Sequence, residues 1–379
     1  MMTSPKYLLF FFLFFPFFSL LNAQEKDSVA TERHLADGPY IFYPPGGGMR
    51  VLSVDTAGNL NDTLYGQAPP DFSFRVVSRS GKRRFDVKLH PVSRPDWKCR
   101  QPEKLLVLSD PHGDLDCFVS VLRGNNVING NCEWIFGKNH LMVNGDVFDR
   151  GQDVLPLFWL IYKLEQEAEE AGGKVSFLLG NHEPMVLSGD LRYTHKLYRD
   201  LSERLGISYE DFFSPSTELG RWLGTRNTVT VIGDDLFVHA GLGEDFLNEN
   251  LSLPLVNEEM SKALFMTKQQ RNDRSELTKF LYGNQGPVWY RGMVRNDEKY
   301  NPLHIDILDR LLKKYQVKRI IVGHTVFPDV TAFYGGKVIA INVDNKENFE
   351  KVLGRGLLIK NKTTFVIGDK GILRTVPKL

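Results

Sequence analysis

The stretch LLVLSDPHGD, residues 105–114, sends four apolar residues straight into a polar loop. An apolar run without alternation suits a short strand buried on both faces. The same shape recurs in HLMVNGDVFDRG (140–151), VSFLLGNHEP (175–184), LFVHAGLG (236–243), RIIVGHT (319–325) and VIAINVD (338–344). Between these runs lie DVLPLFWLIYKLEQEAEEAG (153–172), THKLYRDLSERLG (194–206) and HIDILDRLLKKY (304–315), whose apolar positions recur every three or four residues as in helices. Strand, polar loop and helix in repetition predict an α/β domain with largely buried sheets. In such a domain the loops at the carboxyl ends of the strands converge on one crevice.

Composition bounds what this crevice serves. The 379 residues are 42% hydrophobic and 25% charged, a globular composition. With 47 basic and 46 acidic residues the net charge is +1, which argues against a nucleic-acid surface. Residues 1–23 read as a secretory leader, with one positive charge in MMTSPK, the apolar YLLFFFLFFPFFSLL and a small-residue exit at Ala23. No other stretch is long and apolar enough to cross a membrane, so the mature chain is expected to be exported, periplasmic or extracellular, without a stable membrane anchor. Residues 24–100 are expected to form a β-rich region, from short aromatic and β-branched runs broken by PPGGG (44–48), AGN (57–59) and SRSGK (78–82). That region reads as a lid, a partner module or an extra layer, and nothing in it points to catalysis. Residues 101–379 are then the catalytic domain. Cys99, Cys117 and Cys132 form no CxxC pair, and an exported chain admits one disulfide among them.

The polar loops carry Asp110 and His112, then Asp146, Asp149 and Arg150, then Asn181 and His182, then His239, then His324. Carboxylates, imidazoles and an amide oxygen together suit Mn, Fe or Zn better than Ca or Mg, and they are numerous enough for two ions. Two ions about 3.5–4 Å apart can share a carboxylate and a hydroxide, bring the pKa of that water near neutral and clamp a phosphoryl group for in-line attack. A phosphate ester is the natural target. His34, His90, His140, His195 and His304 fall outside these loops and read as surface or packing residues, while Asp114, Asp116 and Asp153 read as helix caps or first-turn charges.

DPHG, GDVFDRG, GNHE, HAG and GHT, in this order between residues 110 and 325, resemble the signature blocks of the calcineurin-like metallophosphoesterases, in their phosphoprotein phosphatase branch. The form of the blocks, with SGDLRY (188–193) after NHE, is most similar to the Shewanella-like protein phosphatases. The resemblance implies a four-layer αββα sandwich holding two divalent or mixed-valence ions. It implies Asp110 and His112 at the first metal, Asp146 as the bridge, and Asn181, His239 and His324 at the second. It also implies His182 as general acid, oriented by Asp149, and Arg150, Arg291 and Arg192 as phosphate contacts. Glu183 reads as a prop for its loop.

Two departures from the pattern bear on specificity. Ser109 stands where the wider branch has Gly, and Pro184 stands where the eukaryotic serine/threonine enzymes carry Arg, with no equivalent of their SAPNY stretch. These departures weaken a serine/threonine preference, and the resemblance to the Shewanella-like group, which includes enzymes that favour phosphotyrosine, implies a phosphorylated protein or peptide, or a small phosphate ester, as substrate, with phosphotyrosine preferred and Phe148, Tyr193, Trp289 and Tyr290 as rings for the mouth. One alternative keeps the metals and hydrolyses nucleotides or dinucleotide polyphosphates, with Trp289 and Tyr290 as a base slot. Another is an inert secreted binding protein, which should lack ligands that this chain retains.

Overall fold

The computed structural model describes residue 1 and residues 36–344, 354–371 and 373–376. Apart from residue 1, the expected leader lies outside them. Strands β1 (Asp37–Phe42), β2 (Met49–Val54) and β3 (Leu60–Tyr65) form an antiparallel sheet, and β4 (Ser73–Val77) and β5 (Arg84–Lys88) form a separate hairpin. Then come β6 (Lys98–Cys99), β7 (Lys104–Leu108), β8 (His140–Val143), β9 (Lys174–Phe177), β10 (Val229–Ile232) and β11 (Asp235–Val238). The last six are β12 (Arg319–Val322), β13 (Thr331–Phe333), β14 (Val338–Ala340), β15 (Arg355–Lys360), β16 (Thr363–Gly368) and β17 (Leu373–Thr375).

Two six-stranded sheets result, in the orders β17-β16-β15-β7-β8-β9 and β13-β14-β12-β11-β10-β6. Strands β7, β8 and β9 run parallel, as do β11, β12 and β14. Helices α1 (Leu115–Gly124) and α2 (Val154–Glu170) return the chain from β7 to β8 and from β8 to β9. The side-chain period of two sets the layers. On β7, Leu106 and Leu108 join the core under α1 and α2, while Leu105 and Val107 face into the core between the sheets. On β12, Ile320 and Val322 pack toward α3 (Leu253–Lys262) and α4 (Ile305–Tyr315), while Ile321 enters the inter-sheet core. Helix, sheet, sheet, helix is the αββα sandwich that the resemblance implies.

The amino-terminal strands add a layer outside α2. Tyr40, Ile41, Leu52, Val76 and Phe85 share one core with Leu155, Phe158 and Trp159, so α2 is covered on nearly all sides. That burial accounts for its apolar residues spreading around the whole helix rather than along one stripe. Trp159 is the pin: it is 1% exposed, its ring meets Phe74 edge-on at 4.8 Å, and its indole N–H donates to the Pro39 carbonyl at 3.0 Å. The turn of the β4–β5 hairpin reaches the starts of α1 and α2. Arg83 pairs with Asp116 at 2.9 Å, and the Arg79 backbone N–H donates to Asp153 Oδ1 at 2.6 Å.

This contact corrects one expectation. Asp153 occupies the N-cap position of α2, yet its side chain makes no cap bond, because the hairpin has its carboxylate; Asp114 does cap α1, accepting from the Cys117 N–H at 3.0 Å. The cysteines are all free thiols, with Cys117 and Cys132 buried, so the disulfide admitted by the sequence does not form here.

Removing the pin should loosen the outer layer. Trp159→Ala is expected to lower stability by about 3–5 kcal/mol in chemical denaturation, the range for emptying a large aromatic site. Limited proteolysis of the variant should cut first within residues 37–88.

Candidate active site

The loops at the carboxyl ends of β7, β8, β9, β11 and β12 meet at one crevice, and they do so with a contorted backbone. Of the fifteen non-glycine residues with positive φ among the described residues, six are Asp110, His112, Asp146, Asp149, Arg150 and His324. Left-handed backbone is costly for such residues and persists only where the surroundings enforce it, which is common at functional sites. Two glycines make the crowding tolerable. A Cβ on Gly145 would lie 2.6 Å from His239 Nδ1, and one on Gly180 would lie 2.1 Å from Asp146 Oδ1.

Glu183 is part of what enforces the geometry. It is wholly buried, and its carboxylate accepts the backbone N–H groups of Gly180 at 2.6 Å, Val147 at 2.8 Å and Asp146 at 3.0 Å. Burial and the neighbouring Asp146 push its pKa up to about 7 against the pull of these donors. Both oxygens serve as acceptors, a role that the ionised carboxylate fills best. The expected prop is therefore a clamp between the β8 and β9 loops.

Around Asp146 the imidazoles gather in two buried trios, His112, Asp146 and His182 in one and Asp146, His239 and His324 in the other. The potential ligand atoms within each trio lie within 4.8 Å of one another, and Asp146 belongs to both. The hydrogen bonds show that these residues fit cations. His112 Nδ1 donates to the Phe148 carbonyl at 2.8 Å, leaving Nε2 buried without a partner, as is His324 Nε2. Burial drives the pKa of His112 down to about 3 and that of His324 well below its usual value, so both rings are neutral donors. His239 Nδ1 donates to the Asn144 carbonyl at 2.8 Å, which turns Nε2 toward Asp146 Oδ2 and Asn181 Oδ1, each at 3.1 Å. A ring nitrogen facing two oxygens requires positive charge between them. Burial opposes a charge on that ring, but the Asp146 and Asp110 carboxylates outweigh it and raise His239 to about 9. Asp146 shows the reciprocal effect: burial would raise it, and His239 and His182 hold it well below the usual carboxylate range.

Asp110 reaches the same crevice but stands in neither trio. Its Oδ1 accepts from Asn342 Nδ2 at 2.8 Å, and its Oδ2 accepts from the His324 N–H at 3.1 Å and from the Ser109 hydroxyl. A carboxylate has about four lone-pair sites, so these bonds orient Asp110 without exhausting it. Asn342, on the chain just after β14, thus touches a predicted ligand directly.

His182 Nδ1 donates to Asp149 Oδ2 at 2.5 Å, and the Thr194 hydroxyl donates to Asp149 Oδ1 at 2.8 Å. Burial lowers the imidazole pKa, but Asp146 and the bond to Asp149 overcome it, and the net shift is upward. Arg291 lies beside the second trio, donating to the Thr325 hydroxyl at 3.0 Å and the His324 carbonyl at 3.3 Å. Arg150 lines the adjoining cavity, which measures about 630 Å³. Arg192 is not among its lining residues; exposed, it holds Asp190 with bonds of 2.7 and 2.8 Å. The expected aromatic mouth is also thinned. Phe148 and Tyr290 are core residues, Trp289 is half-buried with its ring 5.7 Å from His324, and Tyr193 is 50% exposed with its ring 5.4 Å from His182. Sequence reasoning passed over Arg79 and Ser80, which come from the amino-terminal hairpin and line the cavity with Arg150. The single local signal for them is the basic character of their turn.

Residues 103–328 match the calcineurin-like phosphoesterase family. The fold is similar to the crystal structure of a cold-active protein-tyrosine phosphatase of a psychrophilic Shewanella species, with a TM-score of 0.80 and 30% identity, covering 90% of this chain and 99% of that one. The chain is also 29% identical over 228 residues to Shewanella-like protein phosphatase 1 of Plasmodium berghei, covering 59% of this chain and 62% of that protein. It is 28% identical over 269 residues to Shewanella-like protein phosphatase 2 of Arabidopsis thaliana, covering 60% of this chain and 67% of that protein.

Glu183→Gln replaces one acceptor oxygen with an amide that faces N–H donors. It is expected to cost about 3 kcal/mol in urea denaturation, as for a buried hydrogen-bonded charge left unmatched. Metal analysis of the purified variant should show fewer bound ions per chain than the wild type.

Proposed function

The chain belongs to the calcineurin-like phosphoesterase family and is a phosphoric monoester hydrolase, and from that premise we propose that it is a dimetal protein phosphatase preferring phosphotyrosine. The single observation carrying the preference is Tyr193, a half-exposed ring beside His182, positioned to stack on a tyrosyl leaving group. Two divalent or mixed-valence ions, Mn, Fe or Zn, held by Asp110, His112, Asp146, Asn181, His239 and His324, would supply the charge that attracts a phosphate and acidifies water.

The side chains account for the rest of the mechanism. Arg150 and Arg291 orient the phosphate oxygens, for which planar guanidinium groups are suited. Asp149 fixes the His182 tautomer by taking its Nδ1 proton as a hydrogen bond, so Nε2 is the nitrogen left to protonate the leaving oxygen. The raised pKa of that ring keeps the proton available near neutral pH. Arg192 is assigned a different part: its guanidinium lies 5.7 Å from the Tyr193 ring and flanks the stacking face rather than the phosphate.

Nucleotide hydrolysis on the same metals is less well supported. Of the two rings available for a base slot, Tyr290 is buried with its hydroxyl bound to the Asn301 carbonyl at 2.7 Å. We also place the mature enzyme outside the cytoplasm, a proposal that rests on the pattern of residues 1–23 alone.

The test is phosphate release by residues 24–379 reconstituted separately with Mn, Zn, Fe and Mg, on matched phosphotyrosine and phosphoserine peptides and on diadenosine tetraphosphate. Phosphotyrosine should be turned over best, and Asp146→Asn should reduce turnover to background while the circular dichroism spectrum is retained. Preference for the dinucleotide, or an active Asp146→Asn, would overturn the reading.

Stacking makes a narrower demand. Tyr193→Ala should lower kcat/KM for the phosphotyrosine peptide about fivefold, the equivalent of roughly 1 kcal/mol, with a smaller change for phosphoserine.

A further inference from the structure

Three donors from three strand ends hold the carboxylate of Asp110. The Asn342 amide donates to Oδ1 at 2.8 Å, the His324 backbone N–H donates to Oδ2 at 3.1 Å, and the Ser109 hydroxyl reaches the same Oδ2. Asp110 follows β7 in one six-stranded sheet, whereas His324 follows β12 and Asn342 follows β14 in the other. Two of the three bonds therefore cross from one sheet to the other. Glu183 registers the β8 and β9 loops, which belong to the sheet of β7, so it cannot set Asp110 against the second sheet.

The Asn342 backbone is fixed where this bond needs it. Its carbonyl accepts from the Phe327 N–H at 3.0 Å, and the Ile341 N–H donates to the Val322 carbonyl at 2.8 Å. Ile341 and Val343, on either side, are buried in the inter-sheet core. The residue itself is 3% exposed. An ionised carboxylate only accepts, so the NH2 end of the amide is the end that faces Asp110.

Donors on both oxygens resist rotation of a carboxylate more stiffly than donors on one, and partners of this kind orient ligand groups for a metal. The resemblance assigns Asp110 and His112 to the first position, and His112 offers a buried Nε2 without a partner. Among the described residues the Asn342 side chain bonds to no other predicted ligand. The bridging Asp146 has its own holds, the His182 N–H at 2.9 Å and His239 Nε2 at 3.1 Å.

We propose that Asn342 is a positioning residue for the first metal position: from the second sheet, its amide holds the Asp110 carboxylate in the orientation that receives an ion together with His112. The inference rests on the dimetal reading and deepens it. It makes the two positions separable, because a residue outside the signature blocks governs one and not the other.

The purified chain and its Asn342→Leu and Asn342→Ser variants would be stripped of metal and titrated with Mn(II) against a competing chelator. Electron paramagnetic resonance would report whether bound ions are single or paired. The wild type should bind a pair. Both variants should bind one ion about 10–100-fold more weakly, the range for losing a partner of a ligand, and the other within about threefold of the wild type. Phosphate release from the phosphotyrosine peptide should fall at limiting Mn and return to the wild-type kcat at saturating Mn, with KM unchanged.

Unchanged Mn affinity in the variants, or equal weakening of both ions, would overturn the assignment. A kcat that saturating Mn does not restore would make Asn342 a prop of the fold, and a raised KM would make it a substrate contact on the cavity lining; either result overturns the role at the metal. Asn342→Ser retains a polar group too short to reach Asp110, and it decides the question alone if Asn342→Leu fails to fold. Failure of the dimetal reading would show in the wild type: a chain that binds fewer than two ions would overturn that reading, and the assignment with it.

Discussion

The buried carboxylate of Glu183 is the constraint on which the rest of the crevice depends. The β8 loop must turn Asp146, Asp149 and Arg150 through left-handed backbone, which leaves the N–H groups of Asp146 and Val147 pointing inward where water does not reach. Buried N–H groups need acceptors. Glu183 supplies one from the next loop and binds Gly180 as well, so a single side chain registers Asp146 and Asp149 against Asn181 and His182. The packing of Gly180 against the Asp146 side chain follows from this, because the two loops are drawn together more closely than a Cβ allows.

Drawing the loops together creates an electrostatic problem. Asp110, Asp146, Asp149 and Glu183 are all buried within one crevice. Without compensation, such a group of carboxylates would be strongly destabilising. His239 and His182 answer in part by holding protons more tightly than free imidazole, while His112 and His324 stay neutral and leave Nε2 bare. His112 and His324 offer bare nitrogens, and a cation bound at the second trio would take the place of the proton on His239 Nε2. Metal binding at the trios would therefore be coupled to folding through the same residues.

Much of this was legible because the relevant signals are local. An apolar run that ends in Asp, Asn or His marks a strand and its loop together, and alternating Leu105 to Leu108 between two cores makes the layers follow. What was not legible depends on tertiary contact. Phe148 and Tyr290 are adjacent to motif residues, but adjacency does not decide which way a ring points, and both turn into the core. Asp153 has the position and chemistry of a helix cap, yet a backbone N–H from 74 residues earlier in the chain takes its carboxylate. Arg79 and Ser80 precede the first motif by some 30 residues, and only the docking of the hairpin on α1 and α2 brings them to the cavity. Their basic turn was visible, but its destination was not.

The position of α2 explains how an amino-terminal hairpin comes to line the cavity beside the trios. That helix begins just after Arg150 and Gly151, and its buried length is covered on the far side by β1, β2, β4 and β5. A helix so enclosed cannot shift without opening both cores, so its first turn is a rigid mount. The loop carrying Arg150 is attached to that mount through the chain, and the basic turn is attached to it through Asp153. The spacing between Arg150 and Arg79 on the cavity lining is thus set by packing rather than by either loop alone.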